Sequence, residues 1–331
     1  MKASIVILNW KGKVEDCAEA VESAIAQSYE DKEIIFVDNG SNDDALTLLK
    51  SQYPKINYIG LPDNLGVTGG RNKGAEACEG DVIFFLENDG AWATKNVVED
   101  AVKLFERYKH LGVLYTAVEG YESGIKDRTV DLYADTNDEI LISSSFRGGA
   151  AVIRKSLFEQ IGGYPDDYFR QCEEKYFSMF VYDLGYYIGY APLLIMRHKG
   201  SDYQGKSNVV NWYNCINDLK NLIRHYPGST KYGLILAKVL LWTGRFVRSG
   251  KIRELIKVYT AVLFEIWNNS KHKKVKKQTV SFIEALGCNA MEIRPFSEYL
   301  THSIDNSHYP SPFLSKLTHS LHQKSHSRGR A

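Results

Sequence analysis

Four short apolar runs in the first ninety residues, each separated from the next by a stretch with helical spacing, constrain the fold of this chain more than any other feature. Ser4–Leu8, Glu33–Val37, Ile56–Ile59 and Val82–Leu86 are rich in Ile, Val and Phe, as strands buried on both faces are. Between them Val14–Gln27, Asp43–Gln52 and Thr68–Cys78 carry the period of helices. Such alternation predicts an α/β fold, a parallel sheet with helices on both faces. Right-handed crossovers then put a ligand site at the carboxyl ends of the strands. The residues standing there are Asn9-Trp10-Lys11, Asp38-Asn39-Gly40-Ser41, Pro62-Asp63-Asn64 and Glu87-Asn88-Asp89. They predict an acidic rim with one aromatic platform.

After this region the pattern changes. From about Ile140 to Ser201 the chain reads as a Gly-rich turn, short strands and one helix, and from Asn208 to about Leu286 as helices. We therefore expect a domain over 1–205, in two halves, 1–90 and 91–205. A helical, partly basic appendage over 206–290 and an irregular, mobile tail over 291–331 would follow. Arg245, Arg248, Lys251, Arg253 and Lys257 interleave with Trp242, Phe246, Ile252, Leu255 and Ile256. That stretch has two readings, a solvated helix face or a contact with anionic lipid headgroups. The formal net charge of +1 gives no sign of a nucleic-acid partner. Five cysteines without a C-x-x-C pair argue against a disulfide framework and for a reducing compartment. No leader pattern opens the chain, and no apolar run nears the ~20 residues of a membrane span. The expected location is the cytoplasm, or the cytoplasmic face of a membrane.

Two common nucleotide-binding signatures are missing. A dinucleotide fold needs G-x-G-x-x-G after its first strand, where this chain has Asn9-Trp-Lys-Gly-Lys13. The Gly-rich run lies instead after the third strand, as Asn64-Leu-Gly-Val-Thr-Gly-Gly-Arg-Asn-Lys-Gly74, and lacks the G-K-[ST] of a P-loop. Its glycines could admit a ligand's backbone approach with Arg71 meeting a phosphate, or could simply build a tight loop and helix start. Glu87 and Asp89 flank one residue at the end of the fourth strand. Two oxygen ligands so placed suit Mg²⁺ or Mn²⁺ bridging a diphosphate.

Taken in order, these motifs resemble the inverting family 2 nucleotide-sugar glycosyltransferases, especially rhamnosyltransferase-like members, over roughly residues 3–202. Ser4–Trp10 is similar to the opening strand, whose aromatic stacks on the donor base. Glu33–Asp43 resembles the V-D-N-x-S-x-D segment, and Asn64–Gly74 the N-x-G-x-x-x-x-R-N-x-G run. Glu87-Asn-Asp89 stands in place of D-x-D. Gly149 and Ala150 resemble the small-residue strand beside the acceptor, and Ile161-Gly-Gly-Tyr-Pro165 the G-G-F turn. Glu173-Glu174 occupies the E-D position, and His198 matches a histidine that reaches the metal or diphosphate.

The resemblance implies a GT-A-type, Rossmann-like, mostly parallel sheet followed by a helical C-terminal region. It implies a nucleotide-binding half over 1–90 and an acceptor or catalytic half over 91–205, with a nucleotide-sugar site made by Asn9, Trp10, Asp38, Asn39, Asn64, Gly70, Arg71, Asn72, Glu87 and Asn88. It implies an acceptor side at Gly149 and Ala150, and a Mn²⁺ or Mg²⁺ site at Asp89, Glu87 and His198. Glu174 would be the general base, with Glu173 beside it. The implied partners are a UDP- or dTDP-sugar (dTDP-rhamnose among them) and a glycan or lipid-linked acceptor in cell-surface polysaccharide synthesis. Glu replaces Asp at both 87 and 174. This leaves open a catalytically silent nucleotide-sugar- or glycan-binding relative, alongside a sugar nucleotidyltransferase.

Overall fold

The computed structural model describes residues 1–125, 139–200, 212–268, 272–286 and 294–295. The four apolar runs form β1 (Ala3–Asn9), β2 (Lys32–Asp38), β3 (Asn57–Gly60) and β4 (Val82–Glu87). They pair in parallel in the order β4-β1-β2-β3. Every residue of β1 except Leu8 is buried, so both faces of the strand are covered. The helices between these strands are α1 (Val14–Ile25), α2 (Ala45–Gln52) and α3 (Gly66–Glu76).

The glycine-rich run is helical and packs tightly. A Cβ on Gly70 would lie 2.5 Å from Leu8 Cδ1, and one on Gly74 2.4 Å from Val6 Cγ1. Both glycines of α3 therefore serve the close approach of helix to sheet. Each costs about 1 kcal/mol of helix propensity relative to Ala, which this packing offsets.

Beyond β4 the sheet becomes mixed. β5 (Gly90–Trp92), α4 (Val97–Arg107), β6 (Leu111–Gly120), β7 (Leu141–Ile142), β8 (Ala151–Arg154) and α5 (Lys155–Ile161) come next, then α6 (Glu173–Asp183) and β9 (Tyr187–His198). β8 lies antiparallel between β4 and β6, and β9 runs parallel to β6. β5 and β7 pair antiparallel with opposite parts of β9. The β5 pairing sets Gly90 against His198, which brings the far end of β9 back to the end of β4.

α7 (Trp212–His225), α8 (Thr230–Arg248) and α9 (Ile252–Asn268) enclose a second core around Ile216, Leu219, Trp242, Phe246, Leu255 and Val258. α7 is also joined to the sheet half by polar contacts. Arg224 pairs with Asp167 and Glu265, and the amides of Asn217 and Asn221 reach the 168–172 loop. α10 (Lys277–Leu286) is anchored where Asp183 accepts from the Lys276 N–H and the Thr279 hydroxyl. A two-residue strand, β10 (Arg294–Pro295), adds to β7. The expected boundary at 205 and the rest of the 291–331 tail lie outside the described residues. Cys17, Cys78, Cys172 and Cys215 are buried and free.

A candidate sugar-nucleotide and metal site

The strand ends open onto a groove made of three joined depressions. The first, about 700 Å³, lies among Trp10, Lys11, Gly40, Ser41, Asn42, Asp43, Asp63 and Asn64. The second, about 210 Å³, shares Trp10 and Asn64 with it and continues past Arg71, Glu87, Asn88 and Phe169. The third, about 460 Å³, shares Arg71, Glu87 and Arg170 with the second and ends at Gly148, Gly149, Glu173 and Glu174. The groove thus runs from an aromatic platform, past the end of β4, to a pair of acids. Trp10 is 51% exposed, so it is a platform and not core.

At the end of β4, His198 Nε2 lies 2.9 Å from Glu87 Oε2 and 3.2 Å from Asp89 Oδ1. One ligand atom from each of the three falls within 4.8 Å of the others. Two carboxylate oxygens and an imidazole nitrogen at this spacing fit Mn²⁺ or Mg²⁺, whose further positions a diphosphate and water would fill. The imidazole is held as a cation that offsets part of the charge of the two acids. Burial lowers the His198 pKa, but the hydrogen bonds and charges of Asp89 and Glu87 outweigh it and raise it to about 10. Burial likewise works against ionised Glu87, while His198 and then Arg71 hold its carboxyl below the usual range.

Glu173 and Glu174 open α6. Both border the third depression, and burial separates them. Glu173 is only 3% exposed, 3.4 Å from Arg71 Nη1, with an Oε2 that has no partner. Burial and the neighbouring Glu174 raise its carboxyl well above the ordinary range. Glu174 is more open, and its Oε1 accepts the Gly148 N–H at 3.3 Å. The buried Arg71 guanidinium also lies 3.6 Å from Glu87, so one cation links both acid groups. It reads as an organiser of carboxylates more than as a free phosphate contact.

The backbone ahead of these acids is strained. Phe169, Gln171 and Cys172 all have φ near +60° to +70°, a region that costs non-glycine residues about 1–3 kcal/mol each. The Phe169 carbonyl accepts the Val67 N–H at the start of α3. Asn217 Nδ2 donates to the carbonyls of Tyr168, Arg170 and Gln171, and Asn221 Nδ2 to that of Cys172. α7 therefore holds the loop that delivers the acids.

The remaining expected residues divide into lining and scaffold. Asn64 and Asn88 border the groove. Asn9 is buried, donating to Asp38 and Ser41 and accepting from Gly12 and Asn88. Asp38 is buried too, accepting from Asn9, the Ser41 hydroxyl and the Ser41 N–H. Asn39 borders the groove, but its amide fastens Asn64, Leu65 and Gly66. Asn72 ties α3 to Tyr164 and Asp166. These side chains are committed to shaping the site from behind. Ala150 is fully buried core, and the glycines before it do the work beside the acids. A Cβ on Gly149 would lie 2.4 Å from Glu87 Cδ, and one on Gly148 2.3 Å from Arg71 Nη1. Gly148, the groove-lining Arg170 and Asn217 were not anticipated. The Gly148-Gly149 doublet signalled the first, whereas nothing local to Asn217 did.

Residues 4–162 match the family Glycosyl transferase family 2. This stretch, just under half of the chain, is similar to that family's domain. An uncharacterized glycosyltransferase of Nostoc sp. is 33% identical over 137 residues, 40% of each chain. The O-antigen chain rhamnosyltransferase WbaN of Salmonella anatum is 26% identical over 188 residues, 52% of this chain and 58% of that protein. The chain thus spans less than two thirds of the length of these curated relatives. Among solved structures, GalNAc-T7 with UDP, GalNAc and Mn²⁺ superposes with a TM-score of 0.56 at 16% identity, covering 68% of this chain and 48% of that one. The mannosyltransferase PcManGT of Pyrobaculum calidifontis, in complex with GDP-Man and Mn²⁺, gives 0.51 at 13% identity, over 96% and 83%. These likenesses establish the GT-A fold.

Proposed function

We propose that the chain transfers a sugar, with inversion, from a UDP- or dTDP-linked donor to a glycan or lipid-linked acceptor on the cytoplasmic side, in cell-surface polysaccharide synthesis. The observation that carries this reading is the continuity of the groove. An aromatic platform, a cluster able to hold a cation and a carboxylate pair follow one another along one surface. Trp10 would stack on the base. A divalent cation held by Glu87, Asp89 and His198 would offset the charge that builds on the leaving diphosphate. Glu174 would take the proton of the acceptor hydroxyl as its oxygen attacks the anomeric carbon from the opposite side. Arg71 would keep Glu87 and Glu173 in register. The rhamnosyl donor is supported by the likeness to WbaN, so dTDP-rhamnose is the first donor to test.

The test is donor hydrolysis across a panel of nucleotide-sugars, with and without Mn²⁺. Metal-dependent release of nucleotide from one donor supports the reading. Binding of a donor that is never turned over, with or without metal, would replace it by the silent binding module.

A further inference from the structure

Helices α8 and α9 are apolar on two sides. Their inner sides, with Trp242, Phe246, Leu255, Val258 and Val262, pack onto α7. A helix apolar all round belongs in an interior, yet the outer sides of both lie in the open. Leu236, Leu240 and Val247 of α8 are exposed, as are Ile252, Ile256, Leu263 and Trp267 of α9, the last by 89%. On α9 the steps from 252 to 256, 263 and 267 follow helical spacing, so they form one stripe. The Thr243 hydroxyl meets the Tyr259 hydroxyl at 2.5 Å between the two stripes, so they lie side by side as one surface. Of the two readings of this stretch, the exposed hydrocarbon on its outward side favours the lipid contact over a solvated face.

The charge at the turn between the helices selects the occupant. Arg245, Arg248, Lys251, Arg253 and Lys257 stand there against the single acid Glu254. Arg245, Arg248, Arg253 and Lys257 are exposed. An apolar strip flanked by cations, with a Trp at its far end, matches the boundary between anionic headgroups and acyl chains. No helix among the described residues is long and apolar enough to cross a membrane, so the hairpin would lie on the surface.

We propose that the outer face of α8 and α9 docks the protein flat onto an anionic lipid bilayer. This stands independently of the chemistry assigned to the groove. The experiment is cosedimentation of the full chain with phosphatidylcholine vesicles, with and without phosphatidylserine, over a salt series. Binding to the anionic vesicles should fall as salt rises. Tryptophan emission should shift to the blue on binding, and Trp267→Phe should remove that shift. Arg253→Gln and Lys257→Gln should each weaken partitioning about fivefold. The double variant Ile256→Ser, Leu263→Ser should abolish it, while an unchanged circular-dichroism spectrum and urea midpoint show that the fold is intact. Three results would overturn the proposal. They are no association with anionic vesicles, association that these substitutions leave unchanged, and a dimer of the full chain that the Ser variant dissociates.

Discussion

The two ends of the groove present carboxylates by different means. Glu87 and Asp89 stand where β4 ends, and His198 reaches them because Gly90 and His198 pair between β5 and β9. Glu173 and Glu174 instead follow three non-glycine residues with positive φ, and amides from α7 hold that loop in place. The cation cluster is thus set by strand geometry. The acid pair depends on a helix some forty residues further along the chain. If so, binding at one end and turnover at the other should be separable by mutation.

The largest separation should come from Glu174→Gln, which keeps the volume and removes the base. Turnover should drop about 10²–10⁴-fold with donor affinity nearly unchanged. Glu173→Gln should do much less, since Glu173 is buried against Arg71 and the more open Glu174 is the one placed to meet a hydroxyl. If steady-state kinetics find Glu173→Gln to be the dead variant, the two roles are exchanged.

Asn217→Ala should come next. It removes three hydrogen bonds to loop carbonyls, and a buried polar group left unpaired costs about 1–3 kcal/mol. A lower denaturation midpoint and lower turnover should accompany unchanged nucleotide affinity. Equal losses in affinity would mean that the two ends are not separable. Trp10→Ala acts at the opposite end. It should weaken free UDP or dTDP by about 1–3 kcal/mol, on the scale of base–aromatic stacking. Equal affinity in calorimetry would remove the platform.

The mildest effect concerns pH. His225 is buried on α7, with Nδ1 2.9 Å from the Lys273 carbonyl. Burial lowers its pKa from an ordinary 6.5 to about 4. Between these values the unfolded chain binds more protons, so His225 makes stability fall as pH drops from about 6.5 to about 4. His225→Gln should flatten urea midpoints over that range and leave them parallel to wild type above it. A slope unchanged by the substitution would assign the acid sensitivity elsewhere.

The donor end was largely legible because period and strand-end position are local signals. Val82–Leu86 followed by Glu87-x-Asp89 announced both the strand and its acids. The resemblance supplied His198, which no local pattern could place. The antiparallel insertion of β8 was hidden, since a four-residue strand reads alike in either direction. Asn9 and Asn39, at strand ends, and Asn72, in α3, were assigned to ligand because a polar side chain reads alike whether it faces a cavity or braces it. Each has a partner 25 or more residues away, beyond any spacing rule. The apolar outer face of α8 and α9 escaped notice because sequence shows amphipathic spacing but not which side another helix covers.

The central claim is that the cluster at the end of β4 holds the cation through which donor diphosphate binds. Calorimetric titration of UDP and dTDP into wild type and Asp89→Ala, each with Mn²⁺ and with chelator, tests it directly. Binding that needs Mn²⁺ in the wild type and is lost in a folded Asp89→Ala is the predicted result. Binding of equal strength in the variant, or in the wild type without metal, would contradict it.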